Sequence, residues 1–186
     1  MTDTATQVTI ANETLPSGWM QARVGDLLEA INGRGFKKSE WQREGLPIIR
    51  IQNLKASDAA FNFFQGELDD KHRVRLGDLL FAWSGTPGTS FGAFIWNGPE
   101  GALNQHIFRL EFDKSLIHTR YLAYVLNEQV AKFIEQAQGG VGLAHITKSK
   151  FMDSRIPLAP FNEQRRIVEK IEELFAKLEA GVRSLK

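Results

Sequence analysis

The sequence predicts an α+β fold: a mixed, mainly β domain followed by a long C-terminal helix carrying a coiled-coil seam. Three observations predict it. Between residues 46 and 112, short runs of branched and aromatic residues ("LPIIRIQNL", "LGDLLFAWSG", "FGAFIW", "LNQHIFRLEF") are punctuated by Gly, Pro, Asn and Asp, as strands are. After Asp113 the apolar period becomes helical. The closing segment, "PFNEQRRIVEKIEELFAKLEAGVRSLK", keeps apolar residues at steps of seven.

Taken in chain order, residues 1–14 have no clear period and read as an extended or disordered arm. "GWMQARVGDLLEAI" reads as a short strand running into a brief helix around Val24 to Ile31, ended by the glycine-rich "NGRG". The strand-like middle follows. In "NQHIFRLEF", Ile107, Arg109 and Glu111 alternate with Phe108, Leu110 and Phe112, so one face is expected to be buried and the other wetter. Leu116, Tyr121, Tyr124, Val125, Ala131 and Ile134 then fall at helical spacings, and Gly139-Gly140 stops that helix. "GGVGLAHITKSKFMDSRIPLAP" reads as a loop, a helical turn and a brief strand, with Pro157 and Pro160 marking the exit from a domain spanning 15–160.

The last helix, 161–186, starts near Asn162, a good cap residue. Its apolar series is Ile167, Ile171, Leu174, Leu178, Val182 and Leu185. Ile167 to Leu174 and Ile171 to Leu178 to Leu185 are steps of seven, which make a seam for a second helix. Glu173 to Lys177 and Glu179 to Arg183 add exposed pairs of the favourable orientation. The alternative is a helix packed on its own domain; the two prolines favour the seam because they separate helix from domain.

At 186 residues there is room for one ordinary domain plus an appendage. The composition is that of a soluble globular protein, with neither a membrane span nor a secretory signal, and zero cysteines exclude disulfides and thiolate metal sites. A cytoplasmic location is the expectation. The net charge of +1 neither announces nor excludes a polyanionic partner, because binding depends on where charges sit. Arg34, Lys37, Lys38, Arg43, Arg50 and Lys55 against Glu40 and Glu44 make residues 34–55 locally basic.

Enzyme chemistry finds no positive support. "SGTPGTSFG" lacks the lysine a phosphate loop needs after its closing glycine, and "GGVGLAH" follows a helix and lacks a third glycine in register. His72, His106, His118 and His145 have no metal-ligand spacing, and no nucleophile elbow surrounds Ser84 or Ser90. No catalytic residue, metal or cofactor is therefore expected.

Recognition suits the polar residues better. Gln52, Asn53, Asn104 and Gln105 each carry a donor and an acceptor, the combination that pairs with adenine's major-groove edge, while Arg50 or Lys37 suits guanine. Ser84, Thr86, Thr89, Ser90, Thr147, Lys148 and Lys150 are phosphate-holding types, though Ser, Thr and Asn also serve simply to end strands and make turns. "WSGTPGTSFG" is first a turn, and its backbone amides offer a second way to meet a phosphate.

The order of segments resembles the specificity subunit of Type I restriction-modification systems. The resemblance rests on "LPSGWMQARVGDL", on "LPIIRIQNL" followed by "LGDLLFAWSGTPG", and above all on "HITKSKFMDSRIPLAPFNEQRRIVEKIEELFAKLEA". It covers nearly the whole chain after the first dozen residues. One departure is "PLAPF", where the family more often has Pro-Pro-Leu; the exit stays rigid and apolar. The resemblance implies a target recognition domain (15–160) that reads one half of a split DNA sequence, and a spacer and dimerisation helix (161–186). Family members usually carry two of each in one chain, so this chain looks like half a subunit. The implied partners are double-stranded DNA, modification (methyltransferase) subunits and, through them, the restriction subunit, with a second copy of the chain pairing through the helix. The implied DNA-contacting side chains lie in loops around Lys37, Lys38, Arg50, Gln52, Asn53, Ser84, Thr86, Thr89, Gln105, His106, His145 and Lys148. The alternative is an adaptor that does not bind DNA and tethers a protein through its helix.

Overall fold

The computed structural model describes residues 15–55, 59–85, 90–136 and 144–184. The expected arm 1–14, the Gly139-Gly140 stop and Leu185 lie outside the described residues, as do Thr86 and Thr89.

The chain begins with β1 (Met20–Arg23), a single turn α1 (Val24–Leu27) and β2 (Leu28–Asn32). Next come β3 (Leu46–Ile49), α2 (Ile51–Lys55), β4 (Asn62–Phe64), β5 (Arg73–Val74), β6 (Leu79–Ala82) and β7 (Ser84–Gly85). Then follow β8 (Gly92–Ile95), β9 (Gly101–Leu103), β10 (Ile107–Phe112), α3 (Thr119–Glu128) and α4 (Val130–Gln136). The chain closes with β11 (Ala144–His145), α5 (Lys148–Asp153), β12 (Arg155–Leu158) and α6 (Phe161–Arg183). This is the expected α+β architecture, mainly β up to residue 112 and ending in a long helix.

Among the described residues, two four-stranded sheets carry the domain, in the orders β2-β10-β6-β8 and β4-β3-β9-β5; β1-β12 and β7-β11 form two short ribbons. The larger core fills the space between the first sheet and the helices, with Leu79, Phe81, Phe108 and Leu110 facing Tyr121, Leu122, Phe133 and Phe151. A smaller core, Ile49, Val74, Leu80, Trp96, Leu103 and Ile107, lies on the sheet's other face. Strand β10 therefore has cores on both sides. Arg109, expected on a wetter face, is only 8% exposed, and its guanidinium donates to the Lys71 carbonyl at 3.0 Å and pairs with Glu111 at 2.7 Å.

Other local expectations are corrected for similar tertiary reasons. The helix expected over Val24–Ile31 is one turn long, because from Leu28 the chain pairs with β10 and buries Leu28 and Ala30 while exposing Glu29. The second half of "LPIIRIQNL" is helical rather than extended. Leu116 is 64% exposed and precedes α3, and Ala131 is exposed, so neither belongs to the buried stripe. Pro160, not Asn162, occupies the cap of α6; its fixed φ suits the helix entry.

Strand β8 is the outer strand of its sheet, an edge that could recruit other strands. Asn127 of α3 closes it: its Nδ2 donates to the Ala93 carbonyl at 2.9 Å and its Oδ1 accepts the Ala93 N–H at 2.7 Å, as a neighbouring strand would. Gly92 leaves room for this approach, since a Cβ there would lie 2.6 Å from Asn127 Oδ1. Asn127→Ala is expected to cost about 1–2 kcal/mol in urea denaturation and to raise concentration-dependent light scattering; unchanged values for both would show that the amide does not protect the edge.

Helix α6 has two parts. Its first three turns bear on the domain: Gln164 and Val168 are buried and Ile167 packs against the larger core. From Glu173 to Ser184 each residue is exposed, including Leu174, Phe175, Leu178 and Val182. The apolar stripe of that distal part is not occupied by the chain's own domain.

Candidate nucleic-acid interface

Strand register gathers the expected contact residues at one end of the main sheet. The pairs Phe108↔Asn32 and Ile107↔Ala82 put the end of β2, the end of β6 and the start of β10 side by side. Strand β3 reaches the same place, because it runs parallel to β9 with Ile49 opposite Leu103. Four chain segments thus leave the scaffold together: 33–38 after β2, 50–52 after β3, 83–85 after β6, and 104–106 before β10.

Their junction is made of main-chain hydrogen bonds around Asn104. The Asn104 N–H donates to the Ile49 carbonyl (3.2 Å) and the Ile107 N–H to the Asn104 carbonyl (3.1 Å). The Arg34 N–H donates to the Leu103 carbonyl (2.8 Å) and the Gly33 N–H to the Ile107 carbonyl (3.1 Å). Gly33 crosses so closely that a Cβ would stand 2.0 Å from the Asn104 carbonyl oxygen. Glycine is required there for contact distance, not for its φ.

The 33–41 segment is braced from within. Arg34 pairs with Glu40, and its guanidinium lies 4.6 Å from the Phe36 ring and 4.7 Å from the Phe64 ring. The Lys37 N–H, donating to Glu40 Oε2 at 2.8 Å, and then Arg34 hold the Glu40 carboxyl below its ordinary range, so it stays charged. Arg34 and Glu40 cancel one another, whereas Lys37 and Lys38 are left exposed on a 3-10 turn. Arg50 lies over the Trp41 ring at 5.1 Å, and Gln52 is exposed as the second residue of α2.

Asn53 does not join this surface. It is 5% exposed; its Oδ1 accepts the Arg50 N–H at 3.0 Å and its Nδ2 donates to the Ala59 carbonyl at 3.1 Å. Asn53 ties α2 to the returning chain, so its reading as a base contact is corrected to a structural one.

Gln105 is exposed, and its Nε2 lies 3.1 Å from His106 Nε2. Burial lowers the His106 pKa below its ordinary value, so at neutral pH the ring is uncharged and can both donate and accept. Ser84 and His145 pair directly across the β7-β11 ribbon, and the Ile146 N–H donates to the Trp83 carbonyl at 3.0 Å. Lys148 follows as the exposed first residue of α5 and lines an open cavity together with Asn32, with Thr147 capping the helix through the Lys150 N–H.

Sequence reasoning passed over Trp83. Its ring stands 5.3 Å from that of His106 and stacks on Phe108 at 5.7 Å, fixing the His106 imidazole at the sheet's end. A tryptophan immediately before the Ser-Gly turn was the available signal. In the sequence Arg34 is one positive charge among several, and the nearby Phe36 is the clue to its bracing role.

Among the described residues, no cluster of three His, Asp or Glu side chains could hold a metal ion, and no helix is long and apolar enough to cross a membrane.

A family model for the Type I restriction modification DNA specificity domain matches residues 16–184. The Type I restriction enzyme EcoBI specificity subunit of Escherichia coli is 24% identical over 169 residues, covering 90% of this chain and 34% of that protein. The MjaVIII specificity subunit of Methanocaldococcus jannaschii is 26% identical over 157 residues, covering 83% of this chain and 35% of that protein. The crystal structure of the HsdS subunit from Thermoanaerobacter tengcongensis matches the fold with a TM-score of 0.71 at 21% identity, over 94% of this chain and 42% of that one. The chain spans about a third of the length of the curated relatives it matches.

Proposed function

The chain belongs to the family of Type I restriction-modification DNA specificity domains, and from that premise we propose that it reads one half of a bipartite DNA target without catalysing any reaction itself. The observation that carries this reading is the convergence of four segments at one end of the sheet, where Lys37, Lys38, Arg50, Gln52, Ser84, Gln105 and His106 collect around a main-chain junction, with His145 paired to Ser84 across the adjoining ribbon and Lys148 three residues beyond it. Domain 15–160 is the reader and helix 161–186 the spacer. Double-stranded DNA is the ligand; modification subunits supply the methyltransferase chemistry and bring in the restriction subunit.

The residue types divide the work. Exposed Lys37, Lys38 and Lys148 provide charge for phosphates, a term that is independent of sequence and sensitive to salt. Gln52, Gln105 and the neutral His106 ring offer paired donors and acceptors to base edges. The test is selection from a random DNA pool by the chain reconstituted with a modification subunit, followed by affinity measurements on the selected site. A defined half-site or palindrome is expected. Lys37→Ala and Lys148→Ala should each weaken binding to every sequence and reduce the slope of log K against log salt by about 1. Gln105→Ala should cost about 1–3 kcal/mol and relax one base position. A pool that returns no enriched sequence would overturn the reading in favour of a protein adaptor.

The distal stripe of α6 calls for a second helix, and a second copy of this chain supplies an identical one, giving a two-fold pair of readers. Leu174→Glu with Leu178→Glu, both on the exposed face, is expected to convert a species of twice 21.0 kDa into a 21.0 kDa monomer in sedimentation, with the fold intact by circular dichroism. A parent chain that sediments as a monomer at high concentration would remove this pairing.

A further inference from the structure

Where α6 meets the domain, one side chain ties the helix both to the chain just before it and to the distant segment that leads into α3. Gln164 is 1% exposed. Its Oε1 accepts the His118 N–H at 2.8 Å, and its Nε2 donates to the Ala159 carbonyl at 2.9 Å and the Leu116 carbonyl at 3.2 Å. Beside it, the Tyr121 hydroxyl donates to the Pro157 carbonyl and accepts the Ala159 N–H, each at 3.1 Å, while the Trp19 ring meets the Tyr121 ring edge-on at 6.4 Å. One turn beyond Gln164, Val168 is buried in the larger core; one turn further, Glu172 pairs with Arg120 of α3. The helix is thus held at 164, 168 and 172, successive turns of one face. After Glu172 each described residue is exposed.

An apolar side chain could fill the Gln164 site, yet it would not fix direction, because packing is tolerant of small rotations whereas hydrogen bonds are not. The lever is long enough for direction to matter. From Val168 to Arg183 the helix extends about 22 Å, and at that distance a tilt of roughly 9° moves its tip by about 3.4 Å, the rise of one base pair.

We propose that Gln164, supported by Tyr121, is the positioning residue that fixes the angle at which α6 leaves the domain, and thereby the number of base pairs separating the two half-sites. The angular part stands on the geometry alone; the consequence for spacing rests on the reading given above.

The chain contains no cysteine, so two can be introduced for spin labels without background. Lys132 on α4 and Glu179 on the free part of α6 are exposed positions for them. With labelled chain diluted into excess unlabelled chain, electron–electron distance measurements are expected to give one narrow distance for the parent. Gln164→Met, which keeps the volume, should lose that single distance and give a broad distribution. Tyr121→Phe keeps the ring and removes only the hydroxyl, so it should broaden the distance by less, and it serves if Gln164→Met fails to fold. A parent distribution that is already broad, or folded variants whose distributions superimpose on the parent's, would overturn the joint. In the reconstituted complex, Gln164→Met is expected to select the same half-site sequence while accepting gaps one base pair longer and shorter; a broadened distance with an unchanged gap would overturn its role in spacing. If the distances behave as expected but the parent selects no sequence at all, the joint stands and it is the DNA-reading proposal that fails.

Discussion

Gly33→Ala is expected to destabilise the chain by roughly 3 kcal/mol or more in urea denaturation and to abolish selective binding. The added methyl would stand 2.0 Å from the Asn104 carbonyl oxygen, 2.3 Å from its carbonyl carbon and 2.8 Å from the Leu103 carbonyl oxygen. All three are main-chain atoms, so no side chain can swing away. Relief requires moving a segment that is hydrogen-bonded to Ile49, Ile107 and Arg34, which means spoiling the place where four loops leave the scaffold. Gly181→Ala provides the opposite sign within the same chain. Nothing lies within 4 Å of its added methyl, and the helix there is exposed, so stability should rise by up to about 1 kcal/mol. A Gly33→Ala protein as stable as its parent would mean that the crossing at Asn104 is not tight.

The second large effect belongs to Phe151. It is fully buried, with ring centroids 4.5 Å from Phe81, 5.6 Å from Phe108 and 5.7 Å from Phe133, so it joins α5 to two strands of the main sheet and to α4. Phe151→Ala is expected to cost about 3–5 kcal/mol, the sum of lost transfer energy and an unfilled cavity. Because α5 begins at Lys148 and directly follows the Ser84–His145 pairing, DNA affinity should fall further than folded fraction alone accounts for. Phe175→Ala makes the informative comparison. That ring is 55% exposed on the distal helix, so the monomer should stay within about 0.5 kcal/mol of the parent while self-association weakens. Equal monomer destabilisation by the two changes would contradict the division of α6 into a docked base and a free arm.

Much of the fold was legible because its strands between Leu79 and Phe112 are short, branched and aromatic, and because the last helix carries apolar residues at steps of seven. What local pattern could not convey was which neighbour a segment would meet. "LLEAIN" satisfies helix and strand alike, and only pairing with β10 decides for strand. Arg109 looked like a surface residue because no pattern announces a second core across the sheet. The candidate interface was legible as residue types rather than as an arrangement. Lys37, Lys38, Gln52, Gln105 and Lys148 are exposed, Gln52 and Lys148 in the first turns of short helices, yet Asn53, of equally suitable chemistry, is spent on the Arg50 N–H and on the carbonyls of Ala59 and Ala60 in the returning chain. Phe175, exposed beside Leu174, lies seven residues from both Val168 and Val182, so the free apolar stripe is broader than the series read from the sequence.

The junction at Asn104 is built from peptide groups, with glycine at position 33 demanded by contact distance. The displayed side chains at Lys37, Gln105 and Lys148 take no part in it. Such a platform permits wholesale exchange of its decoration: the side chains displayed on each loop could be replaced, loop by loop, while the chassis underneath folds as before.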